Sequence, residues 1–399
     1  MTLRTNVAGA TNFALQEAIG AYSDEAYTNA RKLSGTAIVS GNPEIDTSTE
    51  TYSGQMRWFV PLNPTINVAS LTDDTDGSLT TYGSAFLNYI KTARTHGAEK
   101  VNLQKLVTQQ DGLAKIGRDF GETKAQDEHN AVLSVMKGVA IAEVLHGAGS
   151  AGGSAGLGGQ TWDNDPTDPL YGFYVDLGAA KLVVANDATN KGAARATGML
   201  NAVGMAYKDY EPPFFYLVTS PEVLASFRSA NLVDETKVTE GNITFDTIFQ
   251  GKFRLIQTRA NQSLTPAEID IFDATNATKA GVDLVGAKTS YIITPGSIAM
   301  EALVIDEDVE IVRAPAAYLG GGTTQIWYRW GYVAHPAGYN WAGSQDKFPS
   351  DAEYQYVVET GTPGALEDAA VALPATTTGT WVRKTDSVLS LGILPVFHS

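Results

Sequence analysis

The sequence predicts an α+β protein. Three observations carry that reading. Apolar residues recur at three- and four-residue spacing from Gly112 to about Leu145, several aromatic and β-branched stretches alternate with period two, and strand-like and helix-like segments follow one another in the middle of the chain. At 399 residues the chain exceeds the usual single-domain size, so two or three subdomains are expected.

Residues 1 to about 50 contain a short helical stretch, "FALQEAIGAYSDEAYTNARKL", among polar and glycine-containing segments with little that forms a private core, and read as an arm. "TYSGQMRWFVPLNPTINVA" is strand-like until Pro61 and Pro64 stop it. "LTDDTDGSLTTYGS" is a polar tip, and "AFLNYIKTARTHGAEKVNLQKLV" returns toward the body. Residues 50 to 100 therefore read as a two-armed extended excursion, from which Met56, Trp58 and Phe59 are expected to be exposed and to need a partner.

The spine helix follows. Leu113, Ile116, Phe120, Val132, Val135, Met136, Val139, Ala142 and Leu145 share one face, which is expected to be the buried one. At 1.5 Å per residue the helix runs roughly 50 Å, and Gly117, Gly121 and Gly138 are places where it bends or another backbone comes close. "HGAGSAGGSAGLGGQ" ends it as a low-complexity loop.

"KGAARATGMLNAVGMAYKD" reads as a helix with Met199, Val203 and Ala206 on one face, and "FFYLVTSPEVLASFRSANL" as a strand leading through Ser220-Pro221 into another helix. Strands are predicted at 252–259, 269–273 and 289–303, with two more around "LGGG" at 319–322 and short pieces in the turn-rich tail, 351–399.

Composition narrows the function. With 28 Lys and Arg against 44 Asp and Glu, the net charge of −16 repels phosphate backbones, and no cluster of basic residues with interleaved aromatics marks a nucleic-acid groove. The absence of cysteine removes disulfides, thiolate metal sites and cysteine nucleophiles. No apolar run approaches the roughly 18 residues of a membrane span, and the first residues lack the apolar core of a signal peptide.

No residue is nominated as catalytic, cofactor-binding or metal-ligating. Gly152-Gly153-Ser154-Ala155-Gly156 matches G-x-S-x-G but lacks the preceding strand and following helix that expose a nucleophile, so it reads as linker. The same tract lacks the Gly-Lys-Ser/Thr ending of a phosphate loop. "DDTDG" (73–77) and "DNDPTD" (163–168) read as solvated turns, without the downstream glutamate of a calcium loop. His96, His129, His146, His335 and His398 are scattered, and Asp127, Glu128 and His129 occupy adjacent helical positions that face different ways. His335 reads as a packed, hydrogen-bonded structural histidine before the turn at Pro336.

"QIWYRWGYVAHPAGYNW" holds three of the six tryptophans. Alternation puts Ile326, Tyr328, Trp330, Tyr332 and Ala334 on one face and Trp327, Arg329, Gly331 and Val333 on the other, which predicts a strand covered on both sides, in a core or under a neighbouring subunit.

The order of arm, two-stranded excursion, spine, α/β insertion and return strand resembles the major capsid proteins of tailed double-stranded-DNA bacteriophages, the Hong Kong phage capsid fold. The most specific likeness is the closing block, Arg329, Gly331, Tyr332, His335, Pro336, Gly338, Tyr339 and Trp341. "VNLQKLVTQQDGLAKIGRDFG" resembles the passage from return strand to spine, and "AVGMAYKDYEPPFFYLVTSPEVLASFR" the opening of the axial domain. The likeness spans roughly residues 1 to 350.

It implies an N-terminal arm at 1–50, an E-loop at 51–100, a P-domain with spine helix and Gly-rich insertion at 101–185, an A-domain at 186–300, P-domain return strands at 301–350 and a C-terminal extension at 351–399. It implies a non-enzymatic viral structural protein without cofactor, self-assembling in hexamers and pentamers into an icosahedral head that encloses DNA. Assembly in the host cytoplasm, residence in the virion, a portal and a decoration protein follow as expectations. No long charged helical prodomain precedes the arm, so a separate scaffolding protein is expected. The alternatives are a bacterial nanocompartment shell of the same fold, and a carbohydrate-binding or carbohydrate-processing protein, which requires Trp327 or Trp341 exposed beside carboxylates in one cleft.

Overall fold

The computed structural model of the chain describes residues 2–59, 84–101, 112–148, 175–176, 188–207, 212–240, 243–258, 288–314, 323–358, 377–384 and 391–398. The strand expected at 269–273, the Gly152–Gly156 tract and the acidic turns at 73–77 and 163–168 lie outside them.

Two sheets and a long helix organise the chain, which is α+β. The first sheet is six-stranded, in the order β1 (Val39–Ser40), β10 (Ile298–Ala302), β12 (Thr323–Pro336), β3 (Ser84–Val101), β2 (Ser53–Phe59), with β11 (Val309–Ala314) also on β12. The second is seven-stranded: β4 (Val175–Asp176), β17 (Ile393–His398), β9 (Lys288–Ile293), β5 (Phe215–Thr219), β8 (Phe253–Gln257), β7 (Ile243–Ile248), β6 (Val238–Glu240).

β3 is the pivot of the first sheet. Its second half, from Lys91, pairs antiparallel with β12, while its first half, Ser84–Ile90, pairs with β2 alone. The excursion is thus a two-stranded extension of a sheet strand. Its inner face packs at home: Met56, Leu87 and Tyr89 form a cluster with Ile45, Leu303 and Val333. This corrects the expectation for Met56, which is only 4% exposed. Alternation told which residues share a face, not that Ile45 and Leu303 cover it. The side chains of Trp58 and Phe59 lie outside the described residues.

The spine is α2 (Gly112–Ala148), 37 residues and about 55 Å long. Phe120, Val132, Val135, Met136, Val139 and Ala142 are buried as predicted, but so are Ala131, Leu133, Ala140 and Ile141. From Ala131 to Glu143 the helix is therefore buried on nearly every side, Lys137 alone of these being half-exposed, because the chain packs both β12 and the tail strands against it. Its glycines are approach points. A Cβ on Gly121 would sit 2.1 Å from the Ser23 carbonyl oxygen, and one on Gly138 2.2 Å from the Tyr354 carbonyl oxygen.

The neighbour at Gly121 is α1 (Thr2–Ala30), a continuous helix where the sequence suggested a shorter helical stretch in an arm. It packs along α2 through Ile19, Ser23 and Tyr27, and Gln16 Nε2 donates to the Val309 carbonyl of β11 at 2.8 Å. Small and polar contacts of this kind leave no apolar stripe to read in a sequence.

Beside the second sheet lie α3 (Ala188–Tyr207) and α4 (Pro221–Ser229). The predicted start of α4 is present: Ser220 Oγ accepts from Val223 N–H and Pro221 opens the first turn. The predicted run 289–303 is two strands, β9 and β10, joined by a turn at Thr294–Ser297 that carries the chain from one sheet to the other. The tail joins both layers: β16 (Trp381–Arg383) pairs with β13 (Tyr339–Trp341), β14 (Tyr356–Val358) pairs with β15 (Thr377–Gly379), and β17 enters the second sheet.

Candidate functional site

The closing block forms a buried aromatic corner. β12 ends at Pro336, Gly338 takes φ +84° in the left-handed region that a side chain disfavours, and the chain returns as β13. Cross-strand pairing sets Trp341 opposite Trp381 and Tyr339 opposite Arg383. The two indoles meet edge to face at 5.1 Å, Tyr354 stacks near Trp381 at 6.3 Å, and Trp381 Nε1 donates to the Tyr354 carbonyl at 2.9 Å. Trp341 and Trp381 are fully buried.

His335 closes this corner against Trp381, ring centroids 5.2 Å apart. Burial pushes its imidazole down to about 3, the backbone at Tyr339 acting the other way, and neither ring nitrogen has a hydrogen-bond partner among the described residues, which corrects the expectation of a hydrogen-bonded histidine: the ring is packed by aromatics instead. The ring fills space in the aromatic corner.

Two spine carboxylates, which the sequence reading did not single out for this role, organise the aromatics. Asp127 Oδ2 accepts from Trp330 Nε1 at 2.8 Å and Tyr332 O–H at 3.0 Å, and faces the Arg94 guanidinium at 3.6 Å. Glu143 accepts from Tyr339 O–H at 2.8 Å and lies 3.5 Å from Arg383, both charged side chains being buried. Burial beside that carboxylate holds the Tyr339 phenol well above its usual range. Glu128 instead accepts from Tyr27 O–H of α1 at 2.7 Å, and burial raises its carboxyl. Asp127 and Glu128 therefore face different partners, as their adjacent positions require. A lone glutamate inside "VAIAEVLHG" was a legible signal of a buried ion pair; its partner Arg383, 240 residues away, was not.

The two faces of β12 differ. Ile326, Tyr328, Trp330, Tyr332 and Ala334 are buried, Tyr328 stacking on Phe120 of α2 at 5.4 Å. On the other face Gly331 and Val333 are covered, but Trp327 is 40% exposed and Arg329 half-buried in an ion pair with Glu310. The strand is covered on both sides only in its second half, which corrects the two-sided expectation for Trp327. Its indole lies flat over Gly97 of β3, with Val312 also exposed on this open face. On the hairpin, Phe86 is 63% exposed.

None of this makes a substrate cleft. Trp341 is buried, and Trp327 sits on an open sheet surface beside an ion pair rather than in a cleft lined by carboxylates. A pocket of about 120 Å³ edged by Trp341, Lys347 and Glu353 is smaller than ligand sites usually are, and a wider hollow of about 590 Å³ between α1 and α2, lined by Glu25, Arg31, Lys32, Arg118 and Glu122, is open and charged rather than enclosed and apolar. Among the described residues no group of His, Asp and Glu is placed to hold a metal ion, and no helix is long and apolar enough to cross a membrane.

No protein-family model matches the chain, and no curated protein does. Among solved structures the chain is similar to phage capsids. The capsid of Ralstonia phage GP4 matches with 13% identity and a TM-score of 0.44, over 78% of this chain and 86% of that one. The acidic stable capsid of Helicobacter pylori bacteriophage KHP30 matches with 8% identity and a TM-score of 0.43, over 91% and 89%. The capsid of cyanophage P-SCSP1u matches with 10% identity and a TM-score of 0.41, over 75% and 83%.

Proposed function

We propose that the chain is the major capsid protein of a tailed double-stranded-DNA bacteriophage, assembling with copies of itself into an icosahedral head that encloses DNA. The observation that carries the reading is the hairpin β2–β3. It continues a central sheet strand beyond the pairing with β12, secures its inner face within the chain, and presents Phe86 outward with no partner among the described residues. Together with the open Trp327–Val312 face, this leaves apolar surface that a second copy covers. Many copies of one modest contact then hold a shell by multivalency.

In this reading the hairpin is the E-loop, α1 belongs to the arm, α2 and the six-stranded sheet make the P-domain, and the second sheet with α3 and α4 makes the A-domain at capsomer centres. The role is structural and needs no cofactor. The net charge of −16 keeps packaged DNA from adhering to the lining, so DNA is enclosed rather than bound by sequence. A separate scaffolding protein, a portal and a decoration protein are the further partners, with assembly in the host cytoplasm and residence in the virion. Negative-stain microscopy of the purified protein, alone and with those partners, tests it: closed shells are expected, and shells enclosing enzyme instead of genome would favour a nanocompartment.

A further inference from the structure

The seven-stranded sheet takes in a strand from far along the chain, β17. Strands β5 to β9 lie within residues 215–293, yet while one edge of β9 pairs antiparallel with β5, the other pairs antiparallel with β17, about a hundred residues later, through Ile393↔Ile293 to His398↔Lys288. Leu391, Ile393, Leu394 and Val396 are all fully buried, against Tyr291, Ile292 and Ile293 that are equally buried. On the outer side, among the described residues, β4 pairs with Val396 and Phe397 and not with Pro395, which has no N–H to give.

The same segment joins the two layers. The Gly392 carbonyl accepts from Thr294 N–H at 2.8 Å and Ser297 Oγ at 3.0 Å, within the turn that carries the chain between sheets, and the Leu391 carbonyl accepts from Tyr207 O–H at 3.2 Å. Without β17 the edge of β9 is an unpaired, apolar strand edge, the kind of surface that captures extended chain.

We propose that β17 is a completion strand: until Leu391–Val396 fills the edge of β9 the subunit is held out of assembly, and that edge accepts this one extended apolar segment, in cis or in trans. Assembly competence is thereby tied to the presence and seating of Leu391–Val396. The assembly half rests on the capsid reading; capture of the strand does not.

The test uses the full-length chain with Leu394→Glu, which cannot seat its own strand, and a labelled synthetic peptide of residues 389–399. Fluorescence anisotropy is expected to show the peptide binding this variant at least tenfold more tightly than the parent chain, whose edge is filled, and a scrambled peptide binding neither. Added peptide is expected to raise the variant's particle fraction toward the parent's. Binding no tighter than the parent's, or assembly of Leu394→Glu at the parent rate without peptide, overturns the proposal.

Val396→Thr, close to isosteric, guards against a variant that simply fails to fold. It is expected to lengthen the assembly lag several-fold, with the lag shortened by peptide, and a lag equal to the parent's counts against the proposal. A parent chain that forms no particles under any condition sinks the shell reading instead, and leaves the anisotropy result to judge the strand.

Discussion

Replacing Arg383 by Leu removes the guanidinium that faces Glu143 in a site where both side chains are buried. The carboxylate then keeps the Tyr339 O–H at 2.8 Å but loses the Arg383 guanidinium. Breaking a buried pair from one side costs about 3–5 kcal/mol, because a charge is left in a medium that solvates it poorly. At the usual unfolding entropy per residue, a loss of about 4 kcal/mol lowers the melting temperature of a cooperative unit this large by roughly 5 °C. Adding Glu143→Gln removes the stranded charge and keeps an acceptor for Tyr339, so the double variant is expected to recover most of the loss. Differential scanning calorimetry of parent, both single variants and the double variant measures the coupling. A single variant melting within about 1 °C of the parent, or a double variant no better than Arg383→Leu, refutes the reasoning that this pair is a buried ionic unit.

Three further outcomes follow from the same structure. Burial lowers His335 to about 3, and burial with the nearby Lys32 lowers His129 to about 4, so at each of these sites the unfolded chain binds more protons than the native one below pH 6.5; each contribution is full above that pH and falls by up to about 1.4 kcal/mol per pH unit, until about pH 3 for His335 and about pH 4 for His129. His335→Phe is expected to flatten that slope between pH 4 and 6, as read from urea midpoints, and an unchanged slope contradicts it. Phe86→Ser, at an exposed site, is expected to change folding stability by less than about 0.5 kcal/mol while depressing particle yield, and parental yield would detach the hairpin from assembly. Gly121→Val drives a side chain into the Ser23 carbonyl, so α1 must lift from α2 at a cost of about 1–3 kcal/mol, visible as earlier proteolysis of α1; an unaltered digestion pattern would show that the contact is dispensable.

Much of the architecture was legible because its signals are local. The spine's 3.6-residue period, the alternation of β12, the Ser220-Pro221 helix start and the turn before Gly338 each follow from a few adjacent residues. What escaped depends on partners distant in sequence. Met56 is buried because Ile45 and Leu303 happen to meet it, and α1 docks through small and polar residues that carry no apolar stripe. Trp381, Arg383 and Tyr354 complete the aromatic corner from a tail that reads as isolated turns and short strands. The corner's own residues were found, and His335 is enclosed in it edge-on to Trp381.

The central claim is that this chain builds a shell, and sedimentation velocity on the purified protein tests it most directly. Across rising concentration, with scaffolding partner supplied, the account predicts a boundary of large, uniform particles that shrinks when Phe86 is replaced by Ser. A single monomer-sized boundary at every concentration, with and without the partner, would contradict it.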